Sequence, residues 1–364
     1  MSVLLAASPA FAVPTDNPRH SALDRSVDQA ADAFFAHECH VGVSLVVQTA
    51  DGRDHFYNYG STSRERASRP TRDTLYEIGS LTKTFTGTLT STAIEEGRMS
   101  LDGALTSYLH GDYPGLSYQG RAVEVRDIVT HTSALPQNVP DLSAVFSTAE
   151  QSPIVPRIIA AEASYDRAAY LEALTHVTLT RLPGERSEYS NYAPKILSFA
   201  LEDVYGADLA HLLQQKITGP LGMRSTGFDV SDRRRLAIPY DATGQQPYHA
   251  ANIGAAGGIY SNASDMARYL AYHLREDAVA KRTHEPLVTL GETISMSMFW
   301  YVDRVDHRVW QSGGLFGMSS QMVFWPEEHV GVVLLANDGC RDTQGQLFEW
   351  GAAIRTSLKT PAAQ

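Results

Sequence analysis

Ser80 and Lys83 lie three residues apart in Thr74-Leu-Tyr-Glu-Ile-Gly-Ser-Leu-Thr-Lys-Thr-Phe85. A strand-like approach ends at Gly79, and a helix-like run over residues 80–96 starts directly after it. Ser80 therefore sits at a helix N-terminus, where unpaired backbone N–H groups and the dipole favour a developing negative charge. Lys83, three residues on, shares its face of the helix. A serine hydroxyl attacks only when a base takes its proton, and a partly buried lysine can be neutral enough to help. Alone, Ser-x-x-Lys is too short to be specific, and a helix cap followed by a surface lysine explains it equally well.

Two further groups carry polar chemistry. Tyr189-Ser-Asn191 falls in Leu182-Pro-Gly-Glu-Arg-Ser-Glu-Tyr-Ser-Asn-Tyr192, a loop turning into a helix that runs to about Tyr205. A phenol at such a boundary can act as a general base or proton relay, and an amide can hold a carbonyl or an amine. A surface turn with an Asn near a helix start is the alternative. Gln311-Ser-Gly313 lies on a strand-like run, Arg308-Val-Trp-Gln-Ser-Gly-Gly314. His37-Glu-Cys-His40 has metal-ligand residue types without the two-histidine spacing of a helical zinc site, so it reads as a helix end and no metal is assigned. Gly254-Ala-Ala-Gly-Gly-Ile-Tyr-Ser-Asn-Ala-Ser-Asp-Met266 is a Gly-rich turn into a helix. No Lys-Ser/Thr follows in the register of a phosphate loop.

The elements that must position these residues alternate along the chain. An amphipathic helix over residues 20–37 precedes a strand at 41–47, an Asp51-Gly52 turn and a returning strand at 55–60. Residues 123–130 read as a helix leading to His131-Thr-Ser-Ala-Leu-Pro-Gln-Asn-Val-Pro-Asp141, whose two prolines make a rigid loop. Residues 142–182 read as largely helical. Beyond Arg308 the chain is strand-rich, with strands at 308–314, 320–325 and 330–336, and a helix over 344–359 closes it. Strands at both ends with helices between imply one sheet built from N- and C-terminal segments, with a helical lobe inserted.

The chain of 364 residues, 43% hydrophobic and 20% charged, has the composition of an ordinary soluble globular protein. Its net charge of -11 argues against nucleic acid and anionic membranes as partners. No apolar run reaches the roughly 18 residues of a membrane span. Residues 1–12 end in Ala10-Phe-Ala12 and read as the tail of a secretory signal, short and without a basic segment, which points to a periplasmic or secreted protein. Cys39 and Cys340 are the only cysteines. They are either one disulfide closing most of the chain or two unpaired thiols.

Ser80-Leu-Thr-Lys83, Tyr189-Ser-Asn191 and Gln311-Ser-Gly313, in this order and context, resemble the serine β-lactamase and penicillin-binding-protein superfamily. The sequence is most similar to its class C β-lactamase and DD-carboxypeptidase branch, from about Val41 to the end. The resemblance implies an α/β fold of the β-lactamase/transpeptidase type: a central antiparallel sheet flanked by helices. Residues 20–75 and 250–364 would form the α/β lobe and residues 76–249 the helical lobe. It implies Ser80 as the acylated nucleophile, with Lys83 and Tyr189 sharing proton transfer and Lys83 holding the phenol in a more acidic state. Asn191 would bond Lys83 and the substrate amide, and Asn138 would be a second substrate-binding amide. The N–H groups of Ser80 and Gly314 would form the oxyanion hole. Ser312 and Gly313 belong to the third motif, and Asn337 and Arg341 would contact a substrate carboxylate. In this fold the first strand lies antiparallel to the last, so the resemblance implies a Cys39–Cys340 disulfide.

Gln311 departs from the Lys or His usual at the head of the third motif. A neutral amide there forgoes a charge-assisted hydrogen bond to a substrate carboxylate, worth roughly 1–3 kcal/mol. The leading reading is a serine hydrolase acting through an acyl-enzyme on D-amino-acid peptides or related amides, including β-lactams. A carboxylesterase or acyltransferase on the same machinery comes second. A non-catalytic β-lactam or peptidoglycan-binding module comes third, because a binder needs no intact proton relay. No cofactor is called for.

Overall fold

The computed structural model describes residues 13–143, 145, 154–230, 232–244, 253–275 and 277–359. The secretory-signal reading of residues 1–12, and residues 144 and 146–153 of the stretch expected to be helical, lie outside the described residues.

The strands of the central sheet are β1 (Gly42–Gln48), β2 (Asp54–Gly60), β3 (Val288–Thr289), β4 (Ile294–Met296), β5 (Tyr301–Asp303), β6 (Val309–Leu315), β7 (Met318–Trp325) and β8 (Val330–Ala336). They form eight antiparallel strands in the order β2-β1-β8-β7-β6-β5-β4-β3. The fold class is the expected one: N-terminal β1 is sealed against C-terminal β8 in register from Val43↔Ala336 to Gln48↔Gly331. Every residue of β1, β7 and β8 is buried, so the sheet is covered on both faces. Side chains alternate between those faces with the two-residue period of a strand. Val43, Leu45 and Val47 pack with Val332, Leu334 and Trp325 on one side, while Val46, Val333 and Leu335 join the larger core on the other.

The main helices are α1 (Ala22–Phe35), α2 (Thr82–Glu95), α3 (Val125–Val129), α4 (Ile154–Ala163), α5 (Arg167–Thr175), α6 (Tyr192–Tyr205), α7 (Ala263–His273), α8 (Ala278–His284) and α9 (Thr343–Lys359). Ser21 and Asp24 close α1 with a capping box. Val27, Ala31 and Phe34 of α1 meet Leu347, Trp350 and Ile354 of α9 over the first face of the sheet. Cys39, just after α1, is disulfide-bonded to Cys340, just after β8, with the two Cα atoms 6.1 Å apart.

Helix α2 runs through the centre of the molecule although it is rich in threonine. Thr82, Thr84, Thr86, Thr88 and Thr90 are all buried. Three of the hydroxyls donate to carbonyls one turn earlier: Thr84 Oγ1 to Leu81 at 2.7 Å, Thr88 Oγ1 to Thr84 at 3.0 Å and Thr90 Oγ1 to Thr86 at 2.9 Å. Satisfied this way, these three hydroxyls can be buried without the penalty of an unpaired donor.

Several boundaries differ from expectation. The α-helix after Gly79 starts at Thr82, because residues Gly79–Leu81 form a 3₁₀ turn. The helix expected over 123–130 is the shorter α3. The Gly-rich stretch includes a two-residue strand, Tyr260–Ser261, paired with Tyr76–Glu77 ahead of Ser80. Among the described residues no helix is long and apolar enough to cross a membrane.

Candidate active site

Ser80 is the middle residue of the Gly79–Leu81 turn, and three hydrogen bonds hold that turn. Ile78 N–H donates to the Ile259 carbonyl at 3.0 Å, Ser320 Oγ donates to the Ile78 carbonyl at 2.7 Å, and Ile259 N–H donates to Thr82 Oγ1 at 3.1 Å. Gly79 adopts φ +53°, and a Cβ there would stand 2.8 Å from the Gly314 nitrogen. A Cβ on Gly313 would stand 2.0 Å from the Ile78 carbonyl oxygen. Only glycines let β6 lie this close to the Ser80 turn.

The side chains converge on Ser80 Oγ. Tyr189 Oη lies 2.5 Å from it and Lys83 Nζ 3.0 Å. Lys83 Nζ also donates to Asn191 Oδ1 at 2.9 Å and to the Ala256 carbonyl at 2.6 Å. Those two oxygens can only accept. A neutral Lys83 therefore spends both N–H bonds on them and turns its lone pair to the Ser80 hydroxyl. Lys83 is fully buried, and desolvation lowers its pKa to about 7. Asn191 Nδ2 donates to Asn138 Oδ1 at 3.0 Å, so both amides stand at the same site.

Tyr189 departs from the expected acidic phenol. Desolvation raises its pKa to about 12, against an opposing contribution from the hydrogen bond with Ser80. Lys83 lies 4.8 Å from the centre of the Tyr189 ring, but its own desolvation lowers the charge that would acidify the phenol.

The 184–191 loop is pinned to the turn after α3. Gly184 N–H donates to the Thr132 carbonyl and Glu188 N–H to the His131 carbonyl, at 2.9 and 2.7 Å. Ser190 N–H donates to His131 Nδ1 at 3.2 Å, and Ser190 Oγ to the Pro136 carbonyl at 2.7 Å. The buried His131 ring lies 4.7 Å from the Tyr189 ring, centre to centre. Burial first, then Lys83, lowers its pKa to about 3, so it is a neutral acceptor at physiological pH.

Three expected contacts are arranged otherwise. Gln311 is buried, with Nε2 donating to the Phe299 carbonyl at 2.6 Å and Oε1 accepting from Ser312 N–H at 2.9 Å. Its amide is consumed in bracing β6. Asn337 is also fully buried, its Nδ2 donating to the Ile238 carbonyl at 3.0 Å and the Thr62 carbonyl at 3.3 Å. It ties β8 to neighbouring loops, and no carboxylate can reach it there. Arg341 is exposed on the turn before α9, whereas Gln344 stands against β6: a Cβ on Gly314 would lie 2.2 Å from Gln344 Nε2. Ser312 Oγ donates across the sheet to Gln321 Oε1 at 2.6 Å and keeps its lone pairs free to accept.

The sequence reading did not single out His131, the Ala256 carbonyl or Gln344. His131 opens the rigid loop that was recognised, and a histidine next to Thr-Ser was its one signal. Ala256 acts through backbone, and nothing in its side chain reveals that.

The chain is 31% identical to D-alanyl-D-alanine-carboxypeptidase/endopeptidase AmpH of Escherichia coli (strain K12) over 259 residues, 69% of this chain and 62% of that protein. It is 23% identical to Protein flp of Staphylococcus aureus (strain COL) over 335 residues, 86% of this chain and 64% of that protein. The matches thus span somewhat over three fifths of the length of these relatives. A β-lactamase/D-alanine carboxypeptidase from Pseudomonas syringae shares the fold with a TM-score of 0.78 at 21% identity, covering 94% of this chain and all of that one. A β-lactamase/D-alanine carboxypeptidase from Yersinia pestis, complexed with citrate, gives 0.78 at 23% identity, covering 93% and 99%. The Beta-lactamase family matches residues 27–346, and the chain belongs to that family.

Proposed function

We propose that the protein is a serine hydrolase that forms an acyl-enzyme on Ser80 and acts on D-amino-acid peptides or related amides. The observation that carries this reading is the placement of Lys83 Nζ, 3.0 Å from Ser80 Oγ with two acceptor-only partners. Neutral Lys83 takes the Ser80 proton as Oγ attacks the substrate carbonyl. The backbone N–H groups of Ser80 and Gly314, brought together by the Gly79 contact, stabilise the oxyanion. One such donor is commonly worth roughly 10²–10³ in rate. Tyr189 keeps its proton near neutrality and sits at hydrogen-bond distance from Oγ, so it relays a proton toward the leaving nitrogen while Lys83 resupplies it. Water then attacks the acyl-enzyme with the same groups in reverse order. Asn191 and Asn138 hold the substrate amide, Ser312 and Gly313 line the strand side, and Gln344 stands against Gly314 at its end.

The relatives named as D-alanine carboxypeptidases favour a peptide substrate, and the ending of residues 1–12 favours export to the periplasm or beyond. The inward-turned amide of Gln311 favours a second reading, an esterase or acyltransferase, because the third motif offers no cation to a substrate carboxylate.

Intact-protein mass after incubation with a penicillin, run beside Ser80→Ala, tests both. A persistent adduct confined to the wild type supports the peptidase reading. An unmodified wild type with unconsumed penicillin, but rapid turnover of a short acyl ester, transfers support to the esterase. Ester turnover that survives Ser80→Ala would sink the acyl-enzyme itself.

A further inference from the structure

The sequence motif His37-Glu-Cys-His40 has no role at Ser80, but the fold gives it new neighbours. The end of β8 brings Asp338 and Cys340 to the segment after α1. The ligand atoms of His40, Asp338 and Cys340 all lie within 4.8 Å of one another, and Cys39 is bonded to Cys340. We propose that reduction of this disulfide opens a divalent-cation site, formed by Cys39, His40, Asp338 and Cys340, that takes zinc.

The imidazole is already arranged as a ligand. His40 Nε2 is 2.6 Å from Gln346 Oε1, and when that carbonyl oxygen receives the ring proton the Nδ1 lone pair is left for a cation. That is the pattern in which an outer carbonyl orients a metal-binding histidine. Phe34 stacks on the ring with centres 3.6 Å apart and fixes its plane. Nδ1 faces Asp338 Oδ1 at 3.2 Å, with the two side chains 1% and 0% exposed. Neither His40 Nδ1 nor Asp338 Oδ2 has a hydrogen-bond partner, while Oδ1 accepts from Thr343 Oγ1 at 2.8 Å. Two buried polar atoms thus stand without a hydrogen bond beside the disulfide.

Two thiolates, one imidazole and one carboxylate make a four-coordinate set suited to zinc. At a Zn–S distance of about 2.3 Å, tetrahedral sulfurs stand roughly 3.8 Å apart. Cysteines with Cα atoms 6.1 Å apart reach that spacing by side-chain rotation. Both cysteines are half-buried, which leaves an approach for a reductant and an ion.

The chemistry balances with a dithiol as reductant. Its two thiols give two electrons and two protons to the Cys39–Cys340 bond and become a disulfide. The two freed protein thiols then lose their protons to solvent as the cation binds, so zinc uptake releases two protons. In the oxidised chain the sulfurs have no thiolate to offer and the site is closed. Nothing in this inference depends on the chemistry assigned to Ser80.

The test uses the full chain, oxidised or reduced with a water-soluble phosphine, given one equivalent of zinc chloride and desalted. Atomic emission should find about one zinc per reduced chain and essentially none on the oxidised chain. Cobalt(II) on the reduced chain should show the visible bands of tetrahedral thiolate ligation. His40→Ala should weaken zinc affinity at least about tenfold, and the Cys39→Ser/Cys340→Ser double variant should abolish retention. Far-UV circular dichroism follows the fold, and a reduced chain that loses structure must regain it with zinc. No zinc on a folded reduced chain, no structural recovery with zinc, or equal retention by the double variant would overturn the proposal.

Discussion

Two lysines are buried in the helical part of the molecule, each beside a tyrosine, and they are built for different ends. Lys83 on α2 lies 4.8 Å from the centre of the Tyr189 ring, and Lys195 on α6 lies 4.4 Å from that of Tyr170. Lys195 Nζ donates to Tyr170 Oη at 2.5 Å, much as Lys83 Nζ lies 3.0 Å from Ser80 Oγ. Desolvation lowers the pKa of both. They differ in one carboxylate. Glu162 stands 3.6 Å from Lys195 and pulls its pKa back up, whereas the hydrogen-bond partners of Lys83 are a hydroxyl, an amide oxygen and a backbone carbonyl. Burial beside a phenol does not by itself make a base. In the proposed mechanism Lys83 becomes one because no carboxylate repays its desolvation and a hydroxyl waits at its lone pair.

The largest break in this contrast comes from Lys83→Arg. A guanidinium stays protonated at any working pH, so the acylation rate, read by mass spectrometry or burst kinetics, should fall by roughly 10³. A sharper measurement is the pH dependence of wild-type acylation. Lys83 is charged below its lowered pKa of about 7 and neutral above it. The rate should therefore fall about tenfold per pH unit below that midpoint and level off above it. An acid limb centred well below pH 6 would assign the base elsewhere.

His131 tests whether Tyr189 must be held in place for Lys83 to act. His131 has φ +58°, a conformation asparagine tolerates better than other non-glycine residues. His131→Asn, which can also offer an acceptor to Ser190 N–H, should stay within about threefold of wild type. His131→Ala should lose roughly tenfold in acylation rate with little change in KM. Equal losses in the two variants would mean that the acceptor does not matter. The smallest effect on the chemistry is expected at the other lysine. Glu162→Gln strips Lys195 of its counter-charge and should cost about 3 kcal/mol of stability in denaturant melts, while leaving the midpoint of the acylation pH profile in place.

The legible parts were those in which local chemistry and final role coincide. Ser80 and Lys83 are one helical turn apart, so their shared face followed from spacing alone, and Tyr189-Ser-Asn191 stood where a loop meets a helix. Apolar runs at 41–47 and 330–336 marked the central strands, and the structure buries both faces of them. Gln311 was legible as a departure from the family pattern. Its consequence was not, because the inward turn of its amide depends on the Phe299 carbonyl, twelve residues away in sequence.

The order of motifs, the helical spacing of Ser80 and Lys83, and the strand and helix periodicities were determined by the sequence itself, since each rests on neighbours within a few residues. Only the tertiary structure decided which groups those residues would face. Asn337 was drawn inward because Thr62 and Ile238 converge on it, and Ala256 lent a carbonyl because a Gly-rich turn folds against α2. His40 met Asp338 because β1 and β8 are adjacent strands. The desolvation of Lys83 likewise depends on packing from distant segments, and it is this burial that brings an ordinary lysine toward neutrality.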